Sequence, residues 1–485
     1  MNSKESKVYA IFPLYIPWLL ALLTQWTPQL SYVIAWFGSF FIFFWTFSKL
    51  TRYINSDLPI EQQIMRPIFL VQIIFAGFMC CTSIFYFLDQ VGYQYFEKIR
   101  EYDAYAEGQL TILAKCQRLS LLGHASLVTG LISVTSSRPL IKKYTLSSHF
   151  NIDHFLIVFS LTCYAVGYLI KNISAISQFS IGLRNTGIIS GAFILIKGII
   201  ERKLKLTAIG GIVFILNFIS ATLSGYKEHI IVNFLIIGCL LYPHYKRATL
   251  IFGIPLIYGL FYILPTYVNI IRTESWSGGA SAEQARSEAV QTLMSDQNQA
   301  AIDETNWSFL TRRLSEISMF TKFVESTPDV IPFYGLSIVK NAIQAIVPRF
   351  LWPGKPITEE LAMERVYAAG AIDVHSVVSA KTRPVVDAYL SGGFVGVFIA
   401  MFLYGYICQS LCNKAEIFFG GYQMGCMIIF NGLFQPMWRG NNFEFITNSV
   451  FYSFVMMLIL LQVLRSNGLL VPVPENEYTA NQRLL

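Results

Sequence analysis

Residues 346–360, IVPRFLWPGKPITEE, gather chemically capable side chains within the one long polar region of an otherwise apolar chain. Pro348, Pro353 and Pro356 fix the backbone there and lower the entropy lost when a ligand is gripped. Between them Arg349 offers a planar fork suited to phosphate or carboxylate, and Lys355 a mobile point charge. Trp352 can stack on a sugar face or anchor at the headgroup level. Together these residues read as a rigid grip for an anionic, partly apolar molecule. The plainer reading is an interfacial loop whose indole and cations anchor to lipid headgroups.

Further charges flank the apolar runs. Arg272 leaves one run, SAKTRPVVDAYLSGG supplies Lys381, Arg383 and Asp387, QPMWRGNNFEF supplies Arg439 and Glu444, and SGYKEHII supplies Lys227, Glu228 and His229. Any one of these is more often a solvated or headgroup-facing charge than a site residue; four loops bringing cations to one membrane face is more suggestive. A general base needs a pKa near the working pH, which histidine has untuned and a buried carboxyl can acquire. His375, in GAIDVHSVVS, is the preferred base, with Asp387 competing; His124, His149, His154 and His244 read as structural. The eight cysteines show no CxxC or other ligand spacing and no HExxH occurs, so they read as small buried hydrophobes, and no metal or other cofactor is expected.

The elements that must position these groups are membrane helices. The 485 residues are 54% hydrophobic and 13% charged, with a mean hydropathy of +0.50, outside the range of soluble domains. About twelve apolar runs long enough to span a bilayer lie near 8–25, 29–48, 67–88, 110–134, 152–171, 179–199, 206–223, 229–243, 248–269, 391–411, 418–436 and 443–464. The first lacks a cleavage site behind it and reads as a retained anchor. With the N-terminus in the cytoplasm, the even-numbered connections carry Lys49, Arg52, Arg66, Arg138, Lys142, Lys143, Arg202, Lys203, Lys205, Lys246 and Arg247, the pattern of inside loops. The net charge of +7 therefore reports topology, with both termini cytoplasmic, rather than a nucleic-acid partner.

The expected fold is all-α, a polytopic membrane protein of about twelve spans. Residues 1–270 hold spans one to nine, 271–390 a large extracytoplasmic loop, 391–465 the last three spans and 466–485 a cytoplasmic tail. Helical spacing in the loop predicts two amphipathic helices over 281–326 and a third over 334–347, with Leu336, Val339, Ile343 and Ile346 on one face, ending at Pro348.

Cations on the outer face suit a substrate whose phosphate lies at the headgroup level and whose tail lies in lipid, such as a polyprenyl-diphosphate-linked sugar. Diphosphate leaves well once its charge is offset, and clustered arginine and lysine can do that without a metal. A dozen spans with one dominant late loop, VPRFLWPGKP within it and SGGFVGVF entering the next span together resemble the Wzy-type O-antigen and capsular polysaccharide polymerases. That resemblance implies a metal-independent membrane glycosyltransferase of the broad C-type (GT-C-like) class in the bacterial inner membrane. It would join undecaprenyl-diphosphate-linked glycans, donor and acceptor, on the periplasmic side and release undecaprenyl diphosphate, working among membrane lipids with a chain-length regulator and a flippase. The family's essential outer-loop arginines map onto Arg349, Arg383, Arg272 and Arg439, while Lys227 stands where a further arginine would be expected.

Three rivals remain at this point. An O-antigen ligase has a similar plan and differs in its acceptor. A transporter or lipid-carrier flippase would line a pathway with ionisable residues, whereas Lys115, Lys171, Arg184 and Lys197 sit near span ends and no inverted repeat is evident. A scaffold or sensor without turnover would explain an amphipathic cap but not converging cations.

Overall fold

In a computed structural model the chain is described over residues 11–48, 54, 57–101, 104–147, 151–173, 176–223, 227–263, 265–267, 270, 284, 287, 291, 299–314, 317–349, 351–375 and 379–474. It is almost wholly helical. The first elements in chain order are α1 (Phe12–Leu23), α2 (Pro28–Ser48), α3 (Pro67–Gln90), α4 (Ala104–Val134), α5 (Ile152–Asn172), α6 (Ser177–Ile200), α7 (Leu204–Leu223), α8 (Lys227–Leu241) and α9 (Lys246–Tyr262). Then come α10 (Gln299–Phe309), α11 (Ile317–Ser326), α12 (Ser337–Ile346) and α13 (Thr358–Ala368), followed by α14 (Pro384–Phe418), the π-helix α15 (Tyr422–Phe430) and α16 (Phe443–Ser466). Two small antiparallel pairs complete it, β1 (Tyr93–Gln94) with β2 (Glu97–Lys98) and β3 (Tyr144–Leu146) with β4 (Leu470–Pro472).

Among the described residues eight helices are long and apolar enough to cross a membrane, and α1 and α8 are shorter apolar helices. The fold is therefore all-helical and compatible with a multi-pass membrane protein, with fewer full-length apolar helices than the twelve runs in the sequence. Two differences have clear causes. The 31-residue α4 carries Glu107, Lys115 and Arg118 and is polar for a span. The run at 418–436 is not one helix: α15 gives way to two short helices, Asn431–Leu433 and Gln435–Arg439, and the chain turns at Gly440 with φ of 74°.

The packing centre is α14 against α4. Lipid tails are as apolar as leucine, so membrane helices associate by close backbone approach rather than by a hydrophobic driving force. Gly130 and Gly405 provide that approach, since a Cβ at either would stand 2.0 Å from the carbonyl oxygen of Phe402 or 2.2 Å from that of Leu127. α14 is also sharply bent. Gly392 and Gly393 leave helical geometry, and Gly393, at φ of 61°, occupies a conformation that side-chain-bearing residues avoid. The short arm 384–391 folds back beside the long one, so that Val385 and Met401 both line the space next to Gly123.

The connections expected on one side of the membrane gather at one end of the bundle. There Arg66 meets Glu416, Lys246 meets Glu61 at 2.7 Å, and the Lys143 N–H donates to the Ile417 carbonyl at 2.9 Å. At the opposite end Gln109 donates to Glu325 at 2.8 Å, Trp307 to Asp89 at 3.1 Å and the Tyr389 hydroxyl to the Thr327 carbonyl at 2.7 Å.

Two alanine substitutions in the same helix test the packing. Gly130→Ala forces a methyl into backbone and lowers stability by about 1–3 kcal/mol, read as an earlier thermal unfolding in detergent. Gly108→Ala meets nothing within 4 Å and is expected to add about 1 kcal/mol. Equal midpoints for the two variants would show that α4 and α14 are not in close contact.

Candidate functional site

The residues 337–368 form a helical hairpin that returns to its starting level. α12 turns Ile338, Ala342 and Ala345 onto α16, and leaves Leu336, Val339 and Ile343 facing outward. The face read from the sequence is thus the lipid-compatible one. α12 ends at Val347, before Pro348, as expected from a proline that disfavours helix in the residue ahead of it. The Tyr452 hydroxyl donates to the Ile346 carbonyl at 2.8 Å, which fixes the tip of the hairpin against α16. On the returning arm Arg365 contacts Glu444. Glu444 and Tyr452 are eight residues apart on α16, so the tip lies about 12 Å along that helix from the Arg365 anchor.

The tip carries the residues singled out in the sequence, Arg349, Trp352 and Lys355. The Lys355 ammonium donates to the carbonyl oxygens of Ala345 at 2.7 Å and Val347 at 2.8 Å, offsetting the negative end of α12 and leaving one N–H. Arg349 is exposed, Trp352 is half-buried, and no carboxylate lies within 4.0 Å of Arg349 or Lys355 among the described residues. Partial burial, and secondarily the like charge of Arg349, lower the Lys355 pKa below the ordinary lysine value. Arg349 and Lys355 are thus two cations on one turn, each without a carboxylate partner among the described residues.

The anchor of the hairpin is a residue the sequence reading passed over. Arg365, 2% exposed, is shared between Asp387 and Glu444, both 0% exposed. Its Nε and Nη2 donate to Asp387 at 3.0 and 3.1 Å, and its Nη1 and Nη2 to Glu444 at 2.7 and 2.8 Å. Asp387 also accepts from the Thr382 hydroxyl at 2.5 Å and the Phe443 N–H at 2.8 Å. Burial alone would lower the Arg365 pKa, but the charges and hydrogen bonds of Asp387 and Glu444 outweigh it and raise it. With four bonds to its two oxygens, Asp387 is placed as a structural acceptor and has little capacity left to take a substrate proton. It also supplies the cap of α16, a role left open by Asn442, whose amide caps nothing although it stands at the N-cap.

The other candidates take separate positions. Arg383 stacks 4.5 Å over the Phe78 ring and donates to the Gly440 carbonyl at 3.1 Å, which puts it beside the turn that carries Arg439; Arg439 contacts Gln435 at 3.4 Å. Lys381 lies 3.7 Å from Glu359 and over the Phe445 ring. His375 stands on an exposed turn, its backbone N–H donating to Asp373. Lys227 opens α8; its side chain, Arg272 and most of the first amphipathic helix expected over 281–326 lie outside the described residues. One signal could have found Arg365. In TEELAMERVYA it falls three residues after Ala362, beside the buried Val366.

Replacing Arg365 by Met leaves two buried carboxylates uncompensated and is expected to cost about 3–5 kcal/mol. Arg365→Lys gives little rescue, because an ammonium cannot serve two carboxylates as a fork does. Arg349→Ala, at an exposed position, shifts stability by about 0.5 kcal/mol or less. Thermal unfolding of the three detergent-solubilised variants checks this order; a wild-type midpoint for Arg365→Met would remove Arg365 as the anchor.

No curated protein and no solved structure matches this chain. A family profile matches residues 16–472, nearly the whole chain. The chain belongs to the family described as "Domain of unknown function (DUF8712)".

Proposed function

We propose that this protein is a bacterial inner-membrane glycosyltransferase that polymerises undecaprenyl-diphosphate-linked repeat units into O-antigen or capsular polysaccharide on the periplasmic side, releasing undecaprenyl diphosphate. The observation that supports the reading is that the tip of a hairpin whose outward face is apolar carries two cations, exposed Arg349 and half-buried Lys355. A phosphate attached to a lipid tail needs both surfaces at once. Arg349 is the more available fork, Lys355 adds one N–H and its charge, and Trp352 stands beside them to contact sugar or carrier.

In this reading the hairpin end of the bundle is periplasmic and the Arg66 end cytoplasmic, with both termini on the cytoplasmic side and the spans arranged in a GT-C-like plan. Arg383 and Arg439 supply further cations from the turn before α16, at the Arg365 end of the hairpin, with Arg272 and Lys227 in flanking loops. His375, exposed, takes the role of base, while Asp387 holds the site together through Arg365. Chemistry is offset of diphosphate charge by fixed cations plus one proton transfer from the attacking hydroxyl. The partners are the two carrier-linked glycans, membrane lipids, a flippase and a chain-length regulator.

A glycan ladder from a deletion strain complemented with wild type or Arg349→Ala tests this. Single repeat units on the core for both deletion and variant, at normal protein level, are expected. Long glycan left unattached on its carrier would identify a ligase, and no glycan at the outer face would identify a transporter. A second test uses pH. Because the Lys355 pKa is lowered, its charge is lost at lower pH than an ordinary lysine's, so affinity for inorganic diphosphate falls as pH rises through that value. Lys355→Arg removes the fall; calorimetric titration across alkaline pH shows whether it does.

A further inference from the structure

We propose that the protein binds one zinc-class divalent cation at the Arg66 end of α14, ligated by Cys412, Cys426, Glu416 and the backbone carbonyl of Met65. The spacing, Cys412 and Glu416 one turn apart with Cys426 ten residues on, is not a recognised ligand motif, and the fold is what joins them. All three side chains are buried and their ligand atoms lie within 4.8 Å of one another.

The distances fit a tetrahedral site. Zinc–sulfur bonds of about 2.3 Å and zinc–oxygen bonds of about 2.0–2.2 Å put sulfur and oxygen ligands about 3.6 Å apart. Cys412 Sγ stands 3.7 Å from Glu416 Oε1, and Cys426 Sγ stands 3.3 Å from the Met65 carbonyl oxygen. Two thiolates with oxygen donors suit zinc better than magnesium or calcium.

Three further features belong to a built site. Cys426 sits in α15, nine residues of π-helix, a rare geometry found disproportionately at functional positions. Gly425 lets α15 press against α14, since a Cβ there would stand 2.5 Å from the Glu416 Cα. Asn431, fully buried, donates its amide nitrogen to the carbonyls of Met65 at 3.2 Å and Cys426 at 2.7 Å, which fixes the backbone at two of the ligand positions.

Arg66 is the obvious competitor, because it donates to both oxygens of Glu416 at 2.9 and 2.7 Å. It is also bound to Asp57 through both Nη atoms, at 3.0 and 3.1 Å, so its charge is already offset. It then acts as the outer-shell donor that orients a ligating carboxylate. Binding exchanges two thiol protons for one dication, and the net charge of the cluster stays the same. A small cleft lined by Arg66, Gln409, Asn413 and Glu416 opens beside the Glu416 carboxylate.

Cobalt(II) titrated into the reduced, full-length protein in detergent tests the site without reference to any activity. The expected result is a thiolate-to-cobalt charge-transfer band in the near ultraviolet with the visible bands of a tetrahedral ion, saturating at one equivalent and bleached by zinc. The band is lost in Cys412→Ser/Cys426→Ser and kept in Cys163→Ser, a buried thiol elsewhere. Absence of the band in the wild-type protein overturns the proposal, as does its survival in the double variant.

Discussion

A single guanidinium shared by two buried carboxylates is the constraint on which the hairpin end of this molecule depends. Arg365 joins α13, the short arm of α14 and the first turn of α16. In a bundle without a strong hydrophobic driving force between helices, such directional bonds specify which packing is adopted. Every donor of Arg365 is used, so none can be withdrawn without leaving a buried charge exposed to a low dielectric.

The opposite end repeats the device. Arg66 is held between Asp57 and Glu416, with the Tyr422 ring 5.0 Å from its guanidinium. Asp387 and Glu416 both belong to α14, so the central helix is tied by an arginine at each end while Gly130 and Gly405 bring it onto α4. The long arm of α14, held at Glu416 and pressed onto α4 at Gly405, is a rigid wall. What freedom the site has must then come from the hairpin tip, whose link to α16 is the neutral bond from Tyr452.

The spans were legible because hydropathy is a local property, and α2, α3, α5, α6, α7, α9 and α16 lie where the apolar runs are. α4 was less clear because its charges are satisfied by the protein rather than by water: Lys115 lies 5.7 Å over the Tyr389 ring and Arg118 donates to Ser31 at 2.7 Å. The rigid turn after α12 could be read from its prolines. Its depth could not, since it is set by Tyr452, 106 residues away. Arg365 looked like one charge among several on a surface helix, because the carboxylates that explain it are 22 and 79 residues distant. Asn442 shows the converse, a residue at a capping position whose capping is done by Asp387 from another element.

The sequence separation within the Arg365 cluster also imposes an order on biogenesis. α13 and Asp387 emerge from the ribosome before the long arm of α14, α15 and α16, so the guanidinium first meets one carboxylate and waits for the other. Until α16 is threaded, Glu444 and Tyr452 are both missing and the hairpin has neither its second ionic partner nor the hydroxyl that holds its tip. Threading of α16 is therefore the event that locks the hairpin.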